Sequence, residues 1–154
     1  MDVEALSQRP TVLEDTPEGF FERFAAYALE ANLAPEPQGS PVLEVVTSAG
    51  VFLAFDRGLP PAPTGRARLL LHAEVEHLSY GGEASPGAYP MERGRYELRG
   101  RVVQALARNL YLMDIGVPVV LGLPSHLIGP DLFSGPLRVV TAPPLMAFRP
   151  DAQR

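Results

Sequence analysis

The chain has 154 residues, 46% hydrophobic and 20% charged, a composition that suits one globular core of ordinary size and excludes a disordered chain. It contains no cysteine, which excludes thiol nucleophiles, iron–sulfur clusters and cysteine zinc sites. The net charge of −5 is unevenly placed: residues 1–57 carry ten acids against three arginines, whereas residues 66–108 carry seven arginines against five acids.

Every basic side chain other than histidine is arginine. The matching abundance of Ala and Pro points to codon composition as the cause, and the lack of lysine removes the residue on which a Walker-type phosphate loop depends. The opening Met-Asp-Val-Glu-Ala-Leu lacks the basic flank and apolar stretch of a signal peptide. No run reaches the roughly 18 apolar residues of a membrane span, so a soluble, cytoplasmic protein is expected. Seventeen prolines and fourteen glycines favour short strands joined by turns over long helices. No internal repeat is visible.

In chain order, Thr16 as a cap, Pro17 in the first turn and Phe20, Phe21, Phe24, Ala28 and Leu29 on one face predict an amphipathic helix over about 17–33. Val42–Thr47 and Val51–Phe55, separated by Ser-Ala-Gly, predict a hairpin. The Pro/Gly stretch 58–65 is a semi-rigid connector between a helix-plus-hairpin subregion, 1–57, and a β-rich, barrel-like subregion, 66–150, of one domain. Along 66–80, Leu69, Leu71, Ala73 and Val75 alternate with Arg68, His72, Glu74 and Glu76, predicting a strand with one wet side; Leu70 breaks the pattern. Residues 81–94 form a Gly/Pro/Ser-rich loop, long for a hairpin connection.

Residues 95–109 fit a strand, through Arg95, Glu97, Arg99 and Arg101 alternating with Tyr96, Leu98 and Val102, and also fit a helix, through Leu98, Val102 and Leu106. Gly100 favours the strand, because glycine inside a helix costs about 1 kcal/mol relative to alanine and in a strand marks a bend. Short strands at 110–114 and 117–121 follow, then a connection at 124–135 with at most one helical turn, then strands at 137–141 and 145–148 around Pro143-Pro144. The expected fold is mainly β: a small antiparallel barrel with one N-terminal helix.

Arg-Gly-Arg-Val-Val (99–103), Leu-Tyr-Leu-Met-Asp-Ile-Gly (110–116) and Val-Pro-Val-Val-Leu-Gly (117–122) resemble the first three strands of an OB-fold barrel. The resemblance implies a glycine that bends the long first strand and an Asp-x-Gly turn leading into the third.

Two constellations carry candidate chemistry. His72, Glu74 and Glu76 fall on one strand face, a donor set for a divalent ion in a metal-dependent enzyme; equally, Arg95, Arg99 and Arg101 on a paired strand would neutralise those acids. Arg66, Arg68, Arg95, Arg99 and Arg101, near Tyr80, Tyr96 and Tyr111, have the residue types of a groove for single-stranded nucleic acid, phosphate on guanidinium and base on ring. Ser125, His126 and Asp131 supply the residues of a hydrolase triad without its nucleophile elbow. No catalytic arrangement stands out and no cofactor is implied. The expectation is a non-catalytic binding or adaptor domain whose partner is another protein or a second copy, acting through sheet edges and the 81–94 loop, with nucleic-acid binding and metal-dependent catalysis as alternatives.

Overall fold

The computed structural model describes residues 16–37, 39–81 and 85–150. Among them a short helix, α1 (Pro17–Arg23), precedes nine strands: β1 (Leu29–Pro35), β2 (Val42–Thr47), β3 (Gly50–Asp56), β4 (Gly65–Tyr80), β5 (Gly87–Pro90), β6 (Tyr96–Ala107), β7 (Leu110–Asp114), β8 (Pro118–Gly122) and β9 (Leu137–Phe148). The fold is mainly β, as expected.

The helix starts where the sequence places it, with Thr16 Oγ1 accepting the Gly19 N–H and Pro17 in the first turn. It stops ten residues early, and residues expected to complete it form a 3₁₀ turn (Ala25–Tyr27) and β1. The same residues carry two periods. Leu29, Ala31 and Leu33 alternate with Glu30 and Asn32 as a strand does, and residues 29–33 pair with β4 while residues 32–35 pair with β2.

The strands form one sheet in the order β1-β2-β3-β9-β4-β8-β7-β6-β5, which closes on itself through two further pairings, β1 with β4 and β6 with β9. Each closure makes a circuit of five strands, and both circuits run through the long antiparallel β4–β9 ribbon. The sheet is not wholly antiparallel, because β3 runs parallel to β9 and β8 parallel to β4. A duplication invisible in the sequence emerges from this scheme. In each half a three-strand meander (β1-β2-β3, then β6-β7-β8) leads to a long strand (β4, then β9). That long strand lies antiparallel to the first strand of its own meander and parallel to the third strand of the other.

The main core lies inside the circuits, where Leu69, Leu71, Ala73 and Val75 of β4 meet residues from both meanders, among them Leu43, Phe52, Leu98, Met113 and Leu121. A second cluster lies on the outer face of the ribbon, where Phe20, Phe21 and Phe24 cover Leu70, Val120 and Phe148. This explains why Leu70 departs from alternation. The face of β4 expected to be wet is covered by α1 at its centre, and His72 is fully buried between the rings of Phe20 and Phe148.

Residues 96–107 form a strand, and Gly100 sits where a Cβ would overlap the backbone carbonyl of Asp114 in β7. The expected loop 81–94 contains β5, which pairs with β6, and a 3₁₀ turn at Glu92–Gly94. Pro143 and Pro144 do not divide β9. They occupy the step where its register with β4 jumps, between His72↔Met146 and Glu74↔Ala142, so the missing proline N–H groups break no ladder bond. The start of the 58–65 connector is held by a buried ion pair: Arg149, following β9, donates to both carboxylate oxygens of Asp56 at 2.9 Å and to the Leu59 carbonyl at 2.7 Å. Gly58 leaves room for that guanidinium.

Candidate functional site

The three acid and imidazole side chains of β4 do not converge. His72 Nε2 lies 2.9 Å from Glu74 Oε2, whose carboxylate rests over Gly122 of the parallel strand β8, while His72 Nδ1 is buried without a partner. Glu76 turns instead to Arg95, which donates through Nε at 2.8 Å and through its terminal nitrogen at 3.3 Å. That hydrogen bond, more than the charge of Arg95, holds the Glu76 carboxyl below the usual carboxylate range, and it raises Arg95 in turn. Among the described residues no group of three or more His, Asp or Glu side chains is arranged to hold a metal.

Nor do the arginines form one stripe. β6 pairs with β9 and not with β4, so Arg99 and Arg101 do not face the β4 acids; only Arg95, just ahead of β6, reaches one. Arg66 of β4 pairs with Glu30 of β1 at 2.8 Å. Arg68 donates to the Ala25 carbonyl at 2.9 Å and lies over the Phe21 ring, tying β4 to the end of α1. Arg99 pairs with Glu97 at 2.7 Å and stacks on Tyr89, 3.9 Å from the ring centroid. Arg101 is exposed.

The tyrosines separate as well. Tyr96 is buried, its ring edge-on to Phe52 and its hydroxyl accepting the Leu53 N–H at 2.9 Å, which makes it a core residue. Tyr111 is half-buried and packs toward Phe133, and Tyr80 at the end of β4 is exposed. Arg99 and Arg101 do share a cleft, joined there by Arg138 of β9, which sequence reasoning passed over because it stands alone in a segment of balanced charge.

A different surface stands out by its apolarity. Val46, Val51, Leu53 and Phe55 are 39%, 49%, 45% and 38% exposed. They share the outward face of the β2–β3 hairpin, because the register sets Val46 opposite Val51, Glu44 opposite Leu53 and Val42 opposite Phe55, while Leu43, Val45, Phe52 and Ala54 point into the core. Leu59, 41% exposed, follows in the connector. The signal was present in Val-Phe-Leu-Ala-Phe, a strand apolar at every position, which reads as covered on both faces. Among the described residues the outer one is bare.

No protein-family model, curated protein sequence or solved structure matches this chain. The functional reading therefore rests on the surfaces themselves. No helix of the described residues is long and apolar enough to cross a membrane.

Proposed function

We propose that this chain is a non-catalytic binding module that works by protein–protein contact, with the outward face of the β2–β3 hairpin as its contact surface and a second copy of the chain as its first partner. The observation that carries the reading is the alignment of Val46, Val51, Leu53 and Phe55 on one solvent-facing side of a regular hairpin. Exposed large apolar side chains scattered singly need no explanation, whereas a contiguous set on a rigid sheet marks an interaction surface. Apart from Glu44 the face carries no charge, so nothing on it selects a charged partner, and a like apolar face is its natural complement. Recognition by face also suits a sheet whose closing pairings leave few free edges.

Light scattering across a concentration series tests the reading, with Leu53→Glu as the probe variant, since the side chain is exposed and its replacement leaves the core intact. The expected result is a dimer for the parent protein and a monomer for the variant. A parent protein that is monomeric throughout and retrieves no partner from its native lysate overturns it.

The nucleic-acid alternative draws on Arg101, the exposed Tyr80 and the Arg99–Tyr89 stack; the pairing of Arg66 and Arg95 with acids removes much of its expected charge. It predicts oligonucleotide affinity that falls steeply with salt.

A further inference from the structure

Arg99 and Arg138 are direct partners across the antiparallel β6–β9 pair, so their side chains leave the sheet on the same face, and Arg101, two residues along β6, joins them. Like charges directly opposite each other destabilise a sheet unless something compensates them. Compensation within the described residues is incomplete. Glu97 takes Arg99 at 2.7 Å, and Asp114, opposite Arg101 in β7, gives one carboxylate oxygen to the Gly116 N–H at 2.8 Å. Arg138 makes no hydrogen bond or ion pair there, and its Nε is out of contact with solvent and unpartnered. An unmet donor on a charged group is among the costlier things to bury.

These three arginines line a cleft of about 500 Å³, together with Gly81, Gly100 and Gly116, which add no side chain to it. That volume lies within the range of small-molecule sites. Arg99 is held in place from two sides, by the Tyr89 ring beneath it and by Glu97. A fixed guanidinium fork matches the oxygens of a phosphate in a bidentate manner that single-point cations cannot reproduce. Asp114 is the sole carboxylate among the described lining residues and is an acceptor for a hydroxyl on the ligand.

We infer that the cleft between β6, β7 and β9 binds a small hydroxylated phosphate ester, with Arg138, Arg99 and Arg101 around the phosphate and Asp114 on a ligand hydroxyl. The anion sits between Arg99 and Arg138, where it relieves their repulsion. This site does not depend on the apolar face of β2–β3.

The test is titration calorimetry and thermal shift on the full chain with inorganic phosphate, ribose 5-phosphate, adenosine 5′-monophosphate, unphosphorylated ribose, citrate and a short oligothymidylate. The expected result is binding of both phosphate esters, weaker binding of inorganic phosphate and none of ribose. Arg138→Gln and Arg101→Gln should each weaken the esters by about tenfold or more, while Arg66→Gln, paired with Glu30, leaves them unchanged. Arg138→Gln separates ligand loss from misfolding, because removing one of two opposed charges should leave the ligand-free melting temperature equal or higher while reducing its rise with ester. The inference is overturned if the esters fail to bind at about 10 mM, far weaker than an ordinary metabolite site, or if Arg138→Gln leaves their affinity unchanged. It is equally overturned if citrate binds as well as the esters, or if only the oligonucleotide binds.

Discussion

At the scale of single residues, two positions decide whether the strands can meet. Gly100 is fixed by backbone: a Cβ there runs into the Asp114 carbonyl, which cannot swing aside as a side chain would. Gly100→Ala should therefore lower the urea midpoint by the equivalent of about 2–3 kcal/mol. Gly135→Ala, where nothing lies within 4 Å of the added atom, should be neutral or stabilise slightly by restricting the unfolded chain. Equal losses at both sites would show that the close approach of β6 and β7 is not what Gly100 provides. The second position is the Asp56–Arg149 pair, only 5% and 3% exposed. Asp56→Ala strands a buried guanidinium and should cost about 3–5 kcal/mol by denaturant titration. The double variant Asp56→Ala, Arg149→Met should recover much of that, since no unpaired charge remains; a loss equal to the sum of the two single variants would mean that the groups act independently.

Elements were legible where one period dominated and misleading where two overlapped. The hairpin β2–β3, the long strand β4 and the strands β6, β7 and β8 lie where their apolar runs place them, and Gly100 lies within a strand, as its cost inside a helix predicts. Residues 29–33 satisfy a helical face and a strand at once, and only tertiary pairing with β2 and β4 chooses, which a local pattern does not contain. The face of β4 looked wet because Arg68, His72, Glu74 and Glu76 are polar; its burial depends on the phenylalanines of α1, some fifty residues upstream. The candidate sites were less legible for a similar reason: partners such as Arg138, and the bareness of the β3 outer face, follow from which strands become neighbours. The pair Glu76–Arg95 links elements that the sequence suggested were opposed strands. Because Arg95 lowers the Glu76 carboxyl, the ionised form is favoured in the folded state. The resulting stabilisation is present above the unfolded carboxyl pKa and is lost as pH falls through the lower folded value. Melting temperatures of the parent protein and Glu76→Gln should thus differ modestly at about pH 7, in favour of the parent, and converge as the pH falls through the folded carboxyl value. Raising the salt should narrow the gap, because both side chains are about one-third exposed; a gap that widens on acidification contradicts the assignment.

At the scale of the whole molecule, the duplicated pairing scheme makes each half depend on the other. The third strand of each meander finds its outer partner in the long strand of the opposite half, β3 on β9 and β8 on β4, and the two long strands pair along most of their lengths. A half taken alone loses those three ladders together. It retains its meander and the pairing of first and long strands, but the core residues Leu69, Leu71, Ala73 and Val75 face a space that the other half fills. This is an exchange between halves, unlike two domains in series, whose cores close separately. Two peptides divided within 82–84 should therefore each lack cooperative unfolding on their own, by circular dichroism against urea. Mixed in equal amounts, they should regain a β spectrum and a single transition whose midpoint rises with concentration, as a bimolecular fold requires. A half that unfolds cooperatively by itself would place the core within one circuit, and the shared β4–β9 ribbon would then be a contact between finished units instead of the structure both are built on.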